Sequence, residues 1–248
     1  MNKLEIRGVS KAFDGKPVLR DVNLTIHSGE LVCLLGVSGG GKTTLFNIIA
    51  GLLEPDEGRV FIDGVDFTGR PGQVSYMMQK DLLLPFRTIE DNVALPLLLK
   101  GMNKKQARAK AGSLFSEFGL DGTQKQYPAQ LSGGMRQRAA FLRTWLFSQN
   151  VALLDEPFSA LDPLTRRAVH RWYLDVMARI RLTTCFITHD VDEAVFLSDR
   201  VCLLTGRPGT IGRQIVIDEP RPRTEDFNLS VAFLDYKREI LSVINGAG

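Results

Sequence analysis

Residues 36–43 read Gly-Val-Ser-Gly-Gly-Gly-Lys-Thr, and this stretch constrains the chain more than any other. It follows the apolar run Leu31–Leu35 and opens the helical pattern Lys42–Ala50, which places it at a strand–turn–helix junction. Gly36, Gly39, Gly40 and Gly41 let backbone N–H groups converge on phosphate oxygens without Cβ clashes. The N-terminus of the following helix adds partial positive charge. Lys42 can reach the β- and γ-phosphates, and the Thr43 hydroxyl can ligate Mg²⁺. With Ser38 and Thr44 these residues form a candidate phosphate-binding loop of the P-loop NTPase type. The plainer reading, a glycine turn before a helix, leaves the lysine and threonine unexplained.

A matching acidic strand end lies downstream. Val151–Leu154 is a buried-strand pattern that delivers Asp155 and Glu156 in succession. Two adjacent carboxylates at the end of an apolar strand are costly unless they meet a cation or a proton-transfer task. Asp155 can hold Mg²⁺ through water, and Glu156 can polarise an attacking water as general base. Such a pair can also simply cap the next helix; the upstream glycine loop on a second expected strand favours the chemical reading.

Around these motifs the texture alternates. Leu4–Val9, Val18–Ile26, Arg59–Ile62 and Val74–Met78 read as strands besides Leu31–Leu35. From Thr88 onward helices take over. Thr88-Ile89-Glu90-Asp91 and Asn103-Lys104-Lys105-Gln106 look like capping boxes, and Ala107, Ala111, Leu114, Phe115 and Phe118 recur at helical spacing until Gly119. The strand–helix alternation returns with Val151–Leu154, a helix capped by Asp162-Pro163, Thr183–Thr188, Val191–Leu197 and Val201–Leu204. The expected fold is α/β: a P-loop core of residues 1–80 and 148–218 with a mixed β-sheet and an antiparallel β portion. A helical subdomain, 81–147, is inserted in it. Residues 219–248 read as a stiff Pro-Arg-Pro-Arg linker and an amphipathic helix near Val231–Ile244.

Net charge excludes some classes. An excess of +3 without any Lys/Arg-rich run gives no footprint for nucleic acid. Cys33, Cys185 and Cys202 each sit in an apolar run, so small core residues in a reducing cytoplasm are expected. The start, Met1-Asn2-Lys3-Leu4-Glu5, lacks a basic-then-apolar signal region, and Leu31–Val37 and Val93–Leu99 are too short to span a bilayer. A membrane role must come through a partner.

Leu131-Ser132-Gly133-Gly134-Met135-Arg136-Gln137-Arg138 supplies a second serine–glycine helix opening, hence a second anion-binding N-terminus. One chain does not need two such sites for one triphosphate, but a second copy placed head to tail would use both. With this phrase, residues 2–217 resemble the ABC ATPase family. The resemblance implies a dimer that sandwiches two ATP molecules, with Ser132, Gly133 and Gly134 on the γ-phosphate bound to the partner. It implies that Gln79 senses Mg²⁺ and the transporter, and that Ser159-Ala160-Leu161-Asp162 communicates across the dimer. It further implies that His189 hydrogen-bonds the γ-phosphate and that Phe13 stacks on adenine, where tyrosine is commoner. Taken singly, Gln79 would be a turn residue, His189 a helix cap and Phe13 a core side chain. Gly40 stands where many members carry serine or cysteine. Glu156, His189, Gln79 and Lys42 are thus the catalytic candidates, Thr43, Gln79 and Asp155 the metal candidates, and Asp162 is grouped with the nucleotide contacts.

Four phrases narrow the resemblance. Gln79-Lys80-Asp81-Leu82-Leu83-Leu84-Pro85-Phe86, Gln130-Leu131-Ser132-Gly133-Gly134-Met135-Arg136-Gln137-Arg138, Thr188-His189-Asp190-Val191-Asp192-Glu193-Ala194 and the Pro-Arg-Pro-Arg segment are similar to nitrate/sulfonate/taurine and thiamine-precursor pyrimidine importers, though tryptophan is more usual at Phe86. This implies a motor on the cytoplasmic face of the membrane. Its partners would be separate permease subunits and, indirectly, an extracellular or periplasmic solute-binding protein. Leu82–Phe86 is either a permease contact or buried within the cassette. A non-transport ABC ATPase, or a nucleotide-dependent regulatory module, would share the same motifs.

Overall fold

Two kinds of strand follow from two kinds of pattern. Asn2–Phe13 (β1) and Lys16–His27 (β2) alternate, burying Leu4, Ile6, Val9, Val22, Leu24 and Ile26 on one face. Leu31–Gly36 (β3) is apolar throughout and buried at every position, as a strand covered on both faces must be. The structure is a computed structural model that describes residues 1–147, 150–221 and 223–246. After β3 come Lys42–Ile49 (α1), Glu57–Ile62 (β4), Val65–Asp66 (β5) and Ser75–Met77 (β6). Strands β2-β1-β4-β5 make a four-stranded antiparallel sheet in that order.

Ile89–Leu99 (α2), Lys104–Gly112 (α3) and Gly133–Phe147 (α4) lie between β6 and Val151–Asp155 (β7). Thr88 caps α2 by accepting from the Asp91 N–H at 3.3 Å, and Asn103 caps α3 by accepting from the Gln106 N–H at 3.0 Å. Arg108 grips Asp91 with two bonds of 2.7 Å and ties α3 to α2. The chain then forms Pro163–Ile180 (α5), Thr183–Thr188 (β8), Val191–Leu197 (α6), Arg200–Thr205 (β9), Thr210–Val216 (β10) and Val231–Gly246 (α7).

The second sheet runs β10-β9-β3-β8-β7-β6, with β10 antiparallel at one edge and the other neighbours parallel. Strict two-residue alternation splits β3 between two cores. Val32 and Leu34 face α1 and the antiparallel sheet, whereas Leu31, Cys33 and Leu35 face the helices. Parallel register carries the C-terminal ends of β3, β7 and β8 to one edge, so Gly36, Asp155 and Thr188 all end on the side where loops can meet a ligand. Gly36 itself lies against β9. A Cβ there would fall 2.2 Å from the Leu204 carbonyl oxygen, so only glycine lets the loop leave the sheet at this point.

Several expectations shift. The helix expected to run to Gly119 stops at Gly112, and Phe115 and Phe118 reach the core from turns. Phe118 packs against Phe141, Trp145 and Trp172, so aromatic burial rather than helical continuity explains the spacing. Strands β5 and β10 had no expectation behind them. The segment read as a stiff linker is docked: Arg221 holds Asp199 through bonds of 2.6 and 2.7 Å, and Arg223 is buried. Leu82–Phe86 divides, with Leu83 buried and Leu82, Leu84 and Phe86 exposed, Phe86 at 92%. Cys33, Cys185 and Cys202 are all buried and free of disulfides. Among the described residues, no helix is long and apolar enough to cross a membrane.

Candidate nucleotide site

The glycine loop wraps the start of α1, whose N-cap is Gly41, in the left-handed region at φ 94°. Lys42 turns its ammonium back into the loop and donates to the carbonyls of Gly36 at 2.7 Å and Val37 at 2.9 Å. Burial pulls this lysine below the ordinary value, while the nearby charges of Glu156 and Asp155 favour its charged form. The loop thus holds one cation against two carbonyls and faces two acids.

Thr43 donates its hydroxyl to Asp155 across 3.3 Å, which joins the first turn of α1 to the end of β7. Burial raises the Asp155 carboxyl above the ordinary range, and neighbouring Glu156 adds to this; the Thr43 hydroxyl and Lys42 act the other way. Glu156, the next residue, has φ 45°. A non-glycine side chain in the left-handed region carries strain that the surroundings must offset. They do so from both flanks, since the Glu156 N–H donates to the Ile187 carbonyl at 3.0 Å and the Ser159 hydroxyl to the Glu156 carbonyl at 3.0 Å.

The Glu156 carboxylate meets two side chains from distant parts of the chain. Gln79, just beyond β6, donates its amide to Oε2 at 3.0 Å. His189, just beyond β8, brings Nδ1 to 3.3 Å from Oε1. The imidazole is 66% exposed and so stands at the mouth of the site.

A cavity of about 460 Å³ is lined by Ser38, Gly39, Gly41, Lys42, Thr43, Thr44, Asp155, Glu156 and His189, with Val18 and Ile187 completing the wall. A second, of about 680 Å³, shares Glu156 and His189 with it and is lined also by Gln79, Gly133, Ser159 and Leu161. Ser132 caps α4, its hydroxyl accepting from the Met135 N–H at 3.3 Å. Gly134 is buried against α5. Asp162 caps α5 by accepting from the N–H groups of Leu164 and Thr165 at 3.2 and 3.1 Å, and its hydrogen bonds to Thr165 lower its carboxyl below the ordinary range. Phe13 ends β1, 44% exposed and outside the lining of either cavity. Gly36 and Gly40 also lie outside both linings. Gly36 contributes the carbonyl that holds Lys42, and Gly40 closes the loop turn through its N–H to the Val37 carbonyl at 3.2 Å.

Sequence reasoning passed over Val18 and Gln137. Val18 comes from the opposite sheet, and nothing in its local pattern marks it. Gln137, inside the second glycine motif, bonds the Pro157 carbonyl and so anchors α4 beside Glu156. A buried glutamine on an apolar helix face was the available signal.

The family profile described as ABC transporter matches residues 19–159. The formylaminopyrimidine import ATP-binding protein ThiZ of Halalkalibacterium halodurans is 44% identical over 206 residues, 83% of this chain and 80% of that one. The nitrate import ATP-binding protein NrtD of Synechocystis sp. is 38% identical over 253 residues, covering 98% and 95%. Among solved structures, a dimeric post-hydrolysis state of the ATP-binding cassette MJ0796 bound to ADP and Pi superposes with a TM-score of 0.73 at 28% identity, covering 88% of this chain and all of that one.

Proposed function

The chain belongs to the ABC transporter family as an ATP-binding, ATP-hydrolysing subunit, and from that premise we propose how its residues divide the work and what the subunit serves. The glycine loop and Lys42 hold the triphosphate, with Phe13 offering an exposed ring face to adenine. Glu156 accepts a proton from the attacking water. The water oxygen bonds the γ-phosphorus as its bond to the bridging oxygen breaks, and ADP leaves with that electron pair. Gln79 and His189 orient the base and the γ-phosphate. The observation that carries this reading is the Glu156 carboxylate held between Gln79 and His189 at the mouth of the loop cavity.

Mg²⁺ suits the donors present. A threonine hydroxyl and a carboxylate are hard oxygen ligands, and among the described residues no three His, Cys, Asp or Glu side chains form a cage of their own. An ion held by Thr43 and Asp155, with Gln79 beside it, would take its remaining ligands from phosphates and water. When bound it neutralises charge on the phosphates.

Two copies would close head to tail on ATP, each offering Ser132, Gly133 and Gly134 to the other's γ-phosphate, with Asp162 fixing the start of α5 at the joint. The dimeric MJ0796 cassette supports this arrangement. ThiZ and NrtD, both import ATP-binding proteins, support a role in the import of a small solute; a separate permease, a solute-binding protein outside and a position for this subunit on the cytoplasmic face complete the proposal. Leu82, Leu84 and Phe86, exposed a few residues after Gln79, are the apolar surface offered to the permease. Glu156→Gln tests the core of this reading. It should keep ATP affinity, lose turnover by about 10²-fold or more and accumulate an ATP-bound dimer in analytical ultracentrifugation. Wild-type turnover in that variant would remove Glu156 as the base.

A further inference from the structure

Helix α6 starts two residues after His189 and is only seven residues long. So short a helix has little stability of its own and depends on how its ends are satisfied. Asp190 serves the first end, accepting from the N–H groups of Asp192 at 2.9 Å and Glu193 at 3.2 Å. The other end is served from the C-terminal segment. Nη1 of Arg223 donates to the carbonyls of Val195 at 2.8 Å, Phe196 at 3.1 Å and Ser198 at 2.7 Å. Its Nη2 donates to Ile217 at 3.2 Å and Glu219 at 2.8 Å, and its Nε to Glu219 at 3.0 Å.

These acceptors are all backbone carbonyls, and the arginine is 4% exposed. Burying a guanidinium without a carboxylate partner is expensive. The cost is offset here because the last carbonyls of α6 are the negative end of a helix, and only a planar fork serves so many at once. Neighbouring contacts fix the same helix. Arg221 clamps Asp199 just past its end, Lys237 of α7 pairs with Asp192 at 2.6 Å, and His170 of α5 meets Glu193 at 2.8 Å. By contrast, the exposed imidazole of His189 has only the Glu156 carboxylate beside it, at 3.3 Å, among the ion-pairing contacts of the described residues. Its placement is therefore set through the backbone, by β8 on one side and α6 on the other.

We propose that Arg223 is a positioning residue for His189: by plugging the C-terminal end of α6 from the C-terminal segment, it holds the helix that aims the histidine at the hydrolysis site. The inference rests on the reading of His189 as a partner of the γ-phosphate. It makes residues 219–246 part of the hydrolytic machinery instead of a tail packed upon it.

The test compares Arg223→Met and Arg223→Lys in the full chain, by hydrogen exchange of the amides of residues 191–197, by nucleotide affinity and by kcat. Arg223→Met should speed exchange in α6 and lower kcat by about tenfold with nucleotide affinity within about twofold of wild type. Arg223→Lys, which keeps the charge and some of the bonds, should recover part of both. Faster exchange with unchanged kcat, unchanged exchange, or equal losses of affinity and kcat would each overturn the proposal. If the methionine variant does not fold, the lysine variant alone decides by the same criteria. His189→Ala separates the two readings. Wild-type turnover there would sink the γ-phosphate assignment, whereas a dead His189→Ala beside an active, loosened Arg223 variant would sink only this inference.

Discussion

Gln79 and Glu156 stand 77 positions apart in the chain and 3.0 Å apart at the mouth of the glycine loop, the amide nitrogen donating to Oε2. The contact crosses from the end of β6 to the end of β7, so any shift of the 79–86 loop is felt directly by the carboxylate proposed as base. Gln79→Ala removes the donor and frees the carboxylate to rotate. Loss of an orienting partner of this kind costs on the order of 10–100-fold in turnover, and nucleotide affinity should change little. Gln79→Glu is more diagnostic. Two carboxylates about 3 Å apart do not both stay ionised near neutrality, so this variant should take up a proton at the site. Its kcat should then be low at pH 7 and rise toward alkaline pH, while wild type shows no such recovery. A pH–rate profile of the two proteins checks this; coincident profiles would mean that Gln79 does not face the working base.

Asp155 offers a prediction about stability that runs against function. Burial raises its carboxyl in the folded chain, so the folded state holds the proton more tightly than the unfolded one. Folding stability therefore falls as pH climbs from the ordinary carboxylate range through the raised value, and the whole burden is present at neutral pH. Asp155→Asn lifts that burden. A relief on the order of 1 kcal/mol raises Tm by about 2–4 °C in a chain this size. The gain should vanish in acid, below both values. Added magnesium nucleotide should reverse the ranking, because wild type binds it more tightly and is stabilised by mass action. Thermal melts at pH 3 and 7, and at pH 7 with and without MgATP, would show the loss of the gain and the crossing; a variant less stable than wild type at pH 7 without nucleotide contradicts the burial argument.

The parts of this molecule that sequence made legible are those where chemistry dictates local composition. The glycine loop, the apolar strand ending in Asp155 and Glu156, and the caps Thr88, Asn103 and Asp162 all announce themselves within a few residues. Arg223 does not. A Pro-Arg-Pro-Arg run reads as a spacer because nothing local says that five carbonyls, four of them from residues 195–217, are waiting for its guanidinium. Strand β10 is invisible for a similar reason: it is an edge strand whose middle residues face solvent, so its pattern lacks alternation, and pairing with β9 alone defines it. Leu82–Phe86 carried two readings, and the structure divides it by residue, since φ 48° at Leu82 turns Leu83 inward and leaves Phe86 out.

Gly134 separates two explanations of one residue. The family resemblance assigns it to the partner's phosphate, but it also lies where α4 crosses α5. A Cβ at this position would sit 3.0 Å from Thr165 Cγ2 and 3.3 Å from Val169 Cγ2, so the two helices would have to separate by a few tenths of an ångström. Overpacking of this kind costs about 1–3 kcal/mol, more than the roughly 1 kcal/mol that alanine gains over glycine inside a helix. Gly134→Ala should therefore lower Tm of the nucleotide-free protein by several degrees, before any second copy is involved. At Gly133 the nearest neighbour of a built Cβ is the terminal Cδ2 of Leu161 at 3.3 Å, the end of a side chain that can rotate away. Gly133→Ala should leave Tm nearly unchanged and lose ATP-driven dimerisation, because its Cβ would crowd the surface proposed to meet the partner's nucleotide. Melting curves and sedimentation in MgATP read the two effects independently. Equal melting of both variants would mean that the α4–α5 contact is not what requires glycine at 134.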